Sequence, residues 1–237
     1  MFKALLFLGA GCIIHAVHSN EMSAMGGLRR HMPVTHATFL VACLAIAGIW
    51  PLSGFFSKDE ILSAAFAFSP VMGWVMTGIA GLTAFYMFRL YYNIFWGREN
   101  RELHAAHRPH EAPLTMTLPL LFLSAVTCVA GFIPFGKLVS SDGTAYAIHI
   151  DRGVAGVSLC VAAAAIALAT WMYLRERQTV ADALATRFRG LHKAAYHRFY
   201  IDEVYQFVTH RVIFACISAP VAWFDRHVVD GLMNLLA

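Results

Sequence analysis

Lys58, Asp59 and Glu60 stand in a row in the stretch "WPLSGFFSKDEIL", between two long apolar runs. Charge inside an apolar segment is costly and usually marks function, and a lysine that can gain or lose a proton in such a place is a candidate carrier. Lys58 is therefore the first residue to which chemistry can be assigned. A second reading fits the same letters: if the preceding Pro51 and Gly54 break lies at a surface, "SKDE" is a solvated helix start with Ser57 as its N-cap. The residues alone leave both open. Asp59 and Glu60 read as electrostatic partners for Lys58 or for Arg89, which lies inside the apolar stretch "AFYMFRLYYNIF". Arg89 could equally snorkel to the membrane surface.

Lys3 is trivial at a free chain end, where it reaches an interface, but becomes a second proton carrier if it sits near mid-membrane. His15, His18 and His36 titrate near neutral pH and could extend a relay. Each alone also suits a loop or interface. His104, His107 and His110 in "HAAHRPHE" suggest metal by residue type, yet no cysteine or carboxylate stands at zinc spacing, so the segment reads as a solvated loop. The five cysteines are scattered singly in apolar segments, with no C-x-x-C pair for zinc or iron–sulfur ligation. No Gly-rich phosphate loop, nucleophile elbow or dinucleotide fingerprint is present, so no nucleotide or redox cofactor is expected in this chain.

These residues need elements to hold them. With 59% hydrophobic and only 14% charged residues in 237, the composition is that of an all-α membrane protein. The basic residues form no aromatic-interleaved face, which argues against nucleic acid. Lys3 is followed by an apolar run without a small-residue cleavage site, so no signal peptide is expected. Apolar runs cover residues 2–17, 35–69, 71–96, 114–135 and 153–174, predicting about five transmembrane helices. A helix rises 1.5 Å per residue and a bilayer core is about 30 Å thick, so about 20 residues make a span. The second run would reach roughly 52 Å as one straight helix and must be broken. Pro51 and Gly54 place that break at Trp50–Gly54. Broken backbone at membrane depth is tolerated only where protein or water covers it, as at ion sites of transporters.

If the runs alternate across the bilayer, one side carries eleven Lys or Arg in residues 19–34, 97–112 and 175–198, and the other only Lys137 and Arg152. The positive-inside rule makes the first side cytoplasmic. The chain divides into a transmembrane bundle at 1–174, a basic cytoplasmic connector at 175–198, and a tail at 199–237. In the tail Ile201, Val204, Val208, Val212 and Ala215 recur at helical spacing, and Val221, Phe224, Val228, Leu232 and Leu235 do so after Pro220. The pattern is an amphipathic surface helix with a break at the proline.

"FKALLFLGAGCIIHA", "MGGLRRHMP", "LAIAGIWPLSGFFSKDEIL" and "FYIDEVY", in this order, resemble the C-terminal part of subunit L of the proton-pumping NADH:quinone oxidoreductase, respiratory complex I, whose mitochondrial counterpart is NADH dehydrogenase subunit five. The resemblance implies an antiporter-like subunit of a bacterial inner membrane. Lys3 would match the central lysine of a transmembrane helix, and Lys58 the lysine of the discontinuous helix that hands protons outward. Asp59, Glu60, Arg89 and His15 are kept as supporting residues on the residue-level reading above, not on the resemblance. The tail would be the start of a lateral helix contacting the sister membrane-arm subunits and the lipid bilayer. NAD, FMN, iron–sulfur clusters and quinone would belong to partner subunits. The family's first half, with its glutamate and lysine pair, and the final anchoring span are not in this sequence. Met1 stands where the family has a histidine before "FKALLF". The chain is thus read as truncated on both sides and unable to pump alone. The large subunit of a multisubunit sodium/proton antiporter is the alternative with a similar bundle, and a purely structural clamp is a third reading.

Overall fold

A computed structural model describes residues 1–99, 109–133, 151–174 and 179–236, and these contain helices and no strand. They fall into two units, Met1–Gln178 and Thr179–Ala237. The all-α membrane architecture expected from the sequence is what the chain adopts.

In the first unit α1 spans Phe2–Val17, α2 Pro33–Ala47, α3 Ser53–Phe68, α4 Pro70–Phe95, α5 Leu114–Val129 and α6 Arg152–Tyr173. With the turn that follows it, α5 forms a 19-residue apolar rod, and α4 and α6 have 26 and 22 residues, so all three are long enough to cross a membrane. The second apolar run is divided, as its length requires: α2 and α3 have 15 and 16 residues and meet at residues 48–52.

The helices pack by shape. Lipid tails are as apolar as leucine, so membrane helices associate through close contact of small side chains and interhelical hydrogen bonds. The buried stripe of α6 is Ala155, Ser158, Ala162, Ala169 and Tyr173, and the helix packs against α4, where Gly81 abuts Val161. Tyr92 Oη and Thr170 Oγ1 lie 2.8 Å apart across this interface. Thr77 and Thr127 donate their hydroxyls to carbonyls one turn back, which leaves neither of these two donors bare in an apolar setting. A second cluster, with Leu5, Ile13, Phe39 and Phe95 fully buried, joins α1, α2 and α4. Phe7, Phe68, Leu114 and Leu118 point outward, as lipid-facing side chains do.

In the second unit α7 is Thr179–Arg187 and α8 is Arg189–Tyr196. A turn at Arg198, Phe199 and Tyr200, all with φ between 53° and 58°, precedes a helix over 201–236, here α9. None of its described side chains is buried. The expected break at Pro220 is not there. Ser218 and Ala219 keep right-handed helical angles, and helix runs through the proline. The segments Val208–Ser218 and Asp225–Val229 are instead widened to i→i+5 hydrogen bonding. A wider turn separates the proline ring from the preceding carbonyls, with which it would clash in a regular helix.

Candidate functional site

The break between α2 and α3 is closed by a full accounting of backbone groups. A helix leaves its last four carbonyls without intrahelical partners, and for α2 these are Leu44, Ala45, Ile46 and Ala47. Gly48, at φ 82°, sends its N–H to Ala45 O at 3.0 Å, and Ile49 sends its own to Leu44 O at 3.1 Å, the double bond of a Schellman ending. The two carbonyls that remain are the two that Lys58 takes: its Nζ donates to Ile46 O at 3.0 Å and to Ala47 O at 3.1 Å. The C-terminal end of a helix also carries negative partial charge, which favours a cation there.

Two glycines allow the approach. A Cβ on Gly48 would meet the Lys58 stem at 2.9 Å, and one on Gly54 would stand 1.8 Å from Ala45 O. The first turn of α3 therefore lies directly on the last turn of α2. Between them Leu52 N–H returns to Ile49 O at 3.1 Å, enclosing Trp50 and Pro51, which share a cis peptide bond.

Ser57 is not a cap. It is the fifth residue of α3, and its hydroxyl donates to Gly54 O at 3.3 Å within that helix. Lys58 is half-buried and is the third residue of α3's second turn, which places the charge inside the broken rod and not at a solvated helix start.

The expected pairings among charges do not form. Successive helical residues point about 100° apart, so Asp59 turns away from Lys58. It is 3% exposed, and its Oδ1 has no hydrogen-bond partner among the described residues. Glu60 is half-buried without an ion pair there. Arg89 is out of reach: Phe66 of α3 lies against Gly73 of α4, so in this antiparallel hairpin Asp59 is level with residue 80, roughly 14 Å short of Arg89. Arg89 instead holds its guanidinium 5.5 Å from the ring centre of Tyr173, at the far end of α6.

Lys3 lies on the exposed side of α1's first turn. Gly9 of α1 abuts Phe39 of α2. Six residues from each contact, in opposite chain directions, come Lys3 and Ala45, so Lys3 is about level with the break. His15 and His18 are neighbours, with ring centres 5.9 Å apart. His36 is placed with α4: its Nε2 is 2.7 Å from Tyr91 Oη, and its ring stacks on Tyr91 and meets Phe95 edge-on. Trp96 donates its indole N–H to the same Tyr91 oxygen at 3.4 Å, and Arg29 lies 3.7 Å over the Trp96 ring. Of the histidine triplet only His110 is among the described residues, which hold no group of three ligands able to bind a metal ion.

Glu111 was missed by residue type. Its carboxylate accepts from Val34 N–H at 2.7 Å, Thr35 N–H at 3.4 Å and Thr35 Oγ1 at 2.6 Å, and so caps α2 from a distant loop. The signal was available: α2 opens on Met32 and Pro33, with no Ser, Thr, Asp or Asn at the N-cap, and its free N–H groups had to find an acceptor elsewhere.

Ser53 Oγ, Asp59 Oδ1 and Ser63 Oγ are buried on α3 with no protein partner among the described residues. Buried polar atoms in native proteins are nearly always satisfied, by water where protein does not do it.

Residues 1–83 match the family described as NADH:quinone oxidoreductase/Mrp antiporter, transmembrane. Over 99% of its length the chain is 37% identical to the NAD(P)H-quinone oxidoreductase chain 5 of Picosynechococcus sp., of which it covers 41%. The chloroplastic NAD(P)H-quinone oxidoreductase subunit 5 of Mesostigma viride is 32% identical over 98% of the chain and is covered to 39%. Chain 5 of Synechocystis sp. is 33% identical over 99% of the chain and is covered to 42%. The chain thus spans about two fifths of the length of the curated relatives it matches.

Proposed function

We propose that this chain, homologous over nearly its whole length to chain 5 of the NAD(P)H-quinone oxidoreductases and fitting the C-terminal part of that subunit, serves proton translocation in the membrane arm of such a complex. The observation that carries the reading is the Lys58 cradle. An ammonium group has three donors and a neutral amine two. The two leftover carbonyls of α2 engage two N–H groups in either protonation state, so the third proton of the ammonium is the transferable one. Losing it does not unmake the helix junction. The negative end of α2 favours the charged form, and the half-buried setting opposes it, which suits a carrier that must both take up and release a proton.

The route away from Lys58 follows α3. Asp59 and Ser63 are one turn apart on that helix, and with Ser53 they supply buried polar atoms in need of water, on the side away from the start of α2. Lys3, level with the break, is the donor side of the pair. Redox cofactors and quinone are assigned to partner subunits. The side bearing residues 19–34 is assigned to the cytoplasm or its organellar equivalent by its surplus of basic residues. α9 is assigned to the membrane surface: its 201–236 range is roughly 54 Å long, well beyond a bilayer core, and Asp202, Glu203, Arg211, Asp225, Arg226 and Asp230 flank its uncharged stretch 212–224, although by length and hydropathy alone the helix could also span.

The family matched by residues 1–83 includes antiporters as well as quinone oxidoreductases. The likeness of the whole chain, tail included, to oxidoreductase subunits favours the latter. The test is made in the intact complex of a homologue, with alanine at the position matching Lys58. Quinone reduction should then move fewer protons per electron. An unchanged proton-to-electron ratio would overturn the assignment.

A further inference from the structure

The second unit presents a face that neither the proton route nor the lateral helix uses. α8 is eight residues long and divides sharply: Arg189 and Lys193, four residues apart, share one side, and Leu191 and Ala195, also four apart, share another. α7 carries a further exposed apolar side chain, Leu184, and Phe188 joins the two helices at the kink between them. Leu184, Phe188 and Leu191 are 44%, 54% and 62% exposed, so no part of the unit covers them. Among residues 179–200 four Lys or Arg stand against a single acid, Asp182. In sequence five residues separate the segment from the end of α6, a helix long and apolar enough to cross a membrane.

We propose that α7 and α8 form an in-plane membrane anchor that binds an anionic lipid surface, with Leu184, Phe188 and Leu191 entering the acyl boundary and Arg189 and Lys193 meeting the headgroup phosphates. The argument is one of complementarity. An apolar stripe backed by cations is the pattern of interfacial helices, and its affinity sums buried apolar area and attraction to anionic lipid. A zwitterionic surface offers the first term only. The anchor holds the start of α9, so it sets the path of the tail along the membrane. It rests on the membrane reading of the chain and is independent of proton transfer at Lys58.

The test uses the full chain in lipid nanodiscs, with hydrogen–deuterium exchange read over residues 184–196. In discs containing about one third phosphatidylglycerol, exchange of this segment should be slower than in phosphatidylcholine discs, and raised salt should abolish the difference. Removing two surface-proximal cations, at about fivefold in partitioning each, predicts that Arg189→Gln with Lys193→Gln loses roughly 25-fold of the lipid-dependent protection. Both side chains are exposed, so this variant folds, and unchanged exchange elsewhere verifies it. Leu191→Asp should remove protection in both kinds of disc. Equal exchange in the two lipids would overturn the proposal. So would protection that arises only when sister subunits are present, because the face would then be a protein interface.

Discussion

At the residue scale, the structure turns a count of donors and acceptors into a test that separates support from chemistry. Replacing Lys58 by alanine leaves Ile46 O and Ala47 O without partners in an apolar setting, which costs about 1–3 kcal/mol for each. Arginine at 58 keeps donors for both carbonyls but cannot give up its proton. Lys58→Arg should therefore recover much of the unfolding midpoint that Lys58→Ala loses in detergent, yet proton movement in the assembled complex should stay as low as in the alanine variant. Recovery of both by arginine would reduce Lys58 to a structural clasp. Glu111 gives the converse case. Glu111→Ala frees three donors at the start of α2 and should lower stability by about 1–2 kcal/mol, with Glu111→Gln losing less because its amide oxygen still accepts. Lys58 was legible in the sequence because charge is rare in an apolar run. Its partners were not, since backbone carbonyls carry no letter. The supposed partnership of Asp59 with Arg89 failed on register, which is set by which residues of α3 and α4 lie level across the hairpin.

At the scale of elements, length and punctuation were enough to divide the second apolar run. A rod of roughly 52 Å cannot fit the bilayer core, and Pro51 with Gly54 marks where it yields. What the pattern could not fix was where α3 starts. It opens at Ser53, four residues before the expected cap at Ser57, because Gly54 lets its first turn settle on the carbonyl of Ala45. The two glycines at this junction should differ when changed. Gly54→Ala places a methyl carbon on backbone oxygen, so α3 must leave α2 and break the Lys58 cradle, and the protein should fail to accumulate in the membrane. Gly48→Ala meets only the flexible Lys58 stem and a left-handed backbone costing about 1–2 kcal/mol. That variant should accumulate with a lowered unfolding midpoint. Equal yields of the two would contradict the close approach. Pro220 shows the opposite failure of legibility: the proline was read as a stop, yet widening of the preceding turns carries α9 through it. Sequence periodicity at 3.6 residues does not register such local widening.

For the whole molecule, the distribution of polar groups across depth predicts what the chain does when isolated. From the start of α2 to the break, the residues buried along that helix are Thr35, Thr38, Phe39, Ala42, Cys43, Ala45 and Ala47, and beyond the two threonines of its first turns none carries a group that titrates near neutral pH or a hydroxyl. From the break onward α3 contributes Lys58, Asp59 and the buried hydroxyls of Ser53 and Ser63. If Lys58 is the carrier proposed above, the described helices supply polar groups on one side of it only, and the relatives they match are well over twice as long. Liposomes that hold this chain alone should therefore show no more proton flux than protein-free liposomes under an imposed pH gradient. The same preparation fixes orientation: Asn20→Cys, in a background freed of the native cysteines, should react with an impermeant maleimide from the side that also reaches the basic loops, and Ser69→Cys only from the other. If the two labels confirm insertion and flux nevertheless exceeds that of empty liposomes, the chain holds a complete conduction path. Lys58 would then be one station on a route that needs no partner, and the one-sided reading would have to be given up.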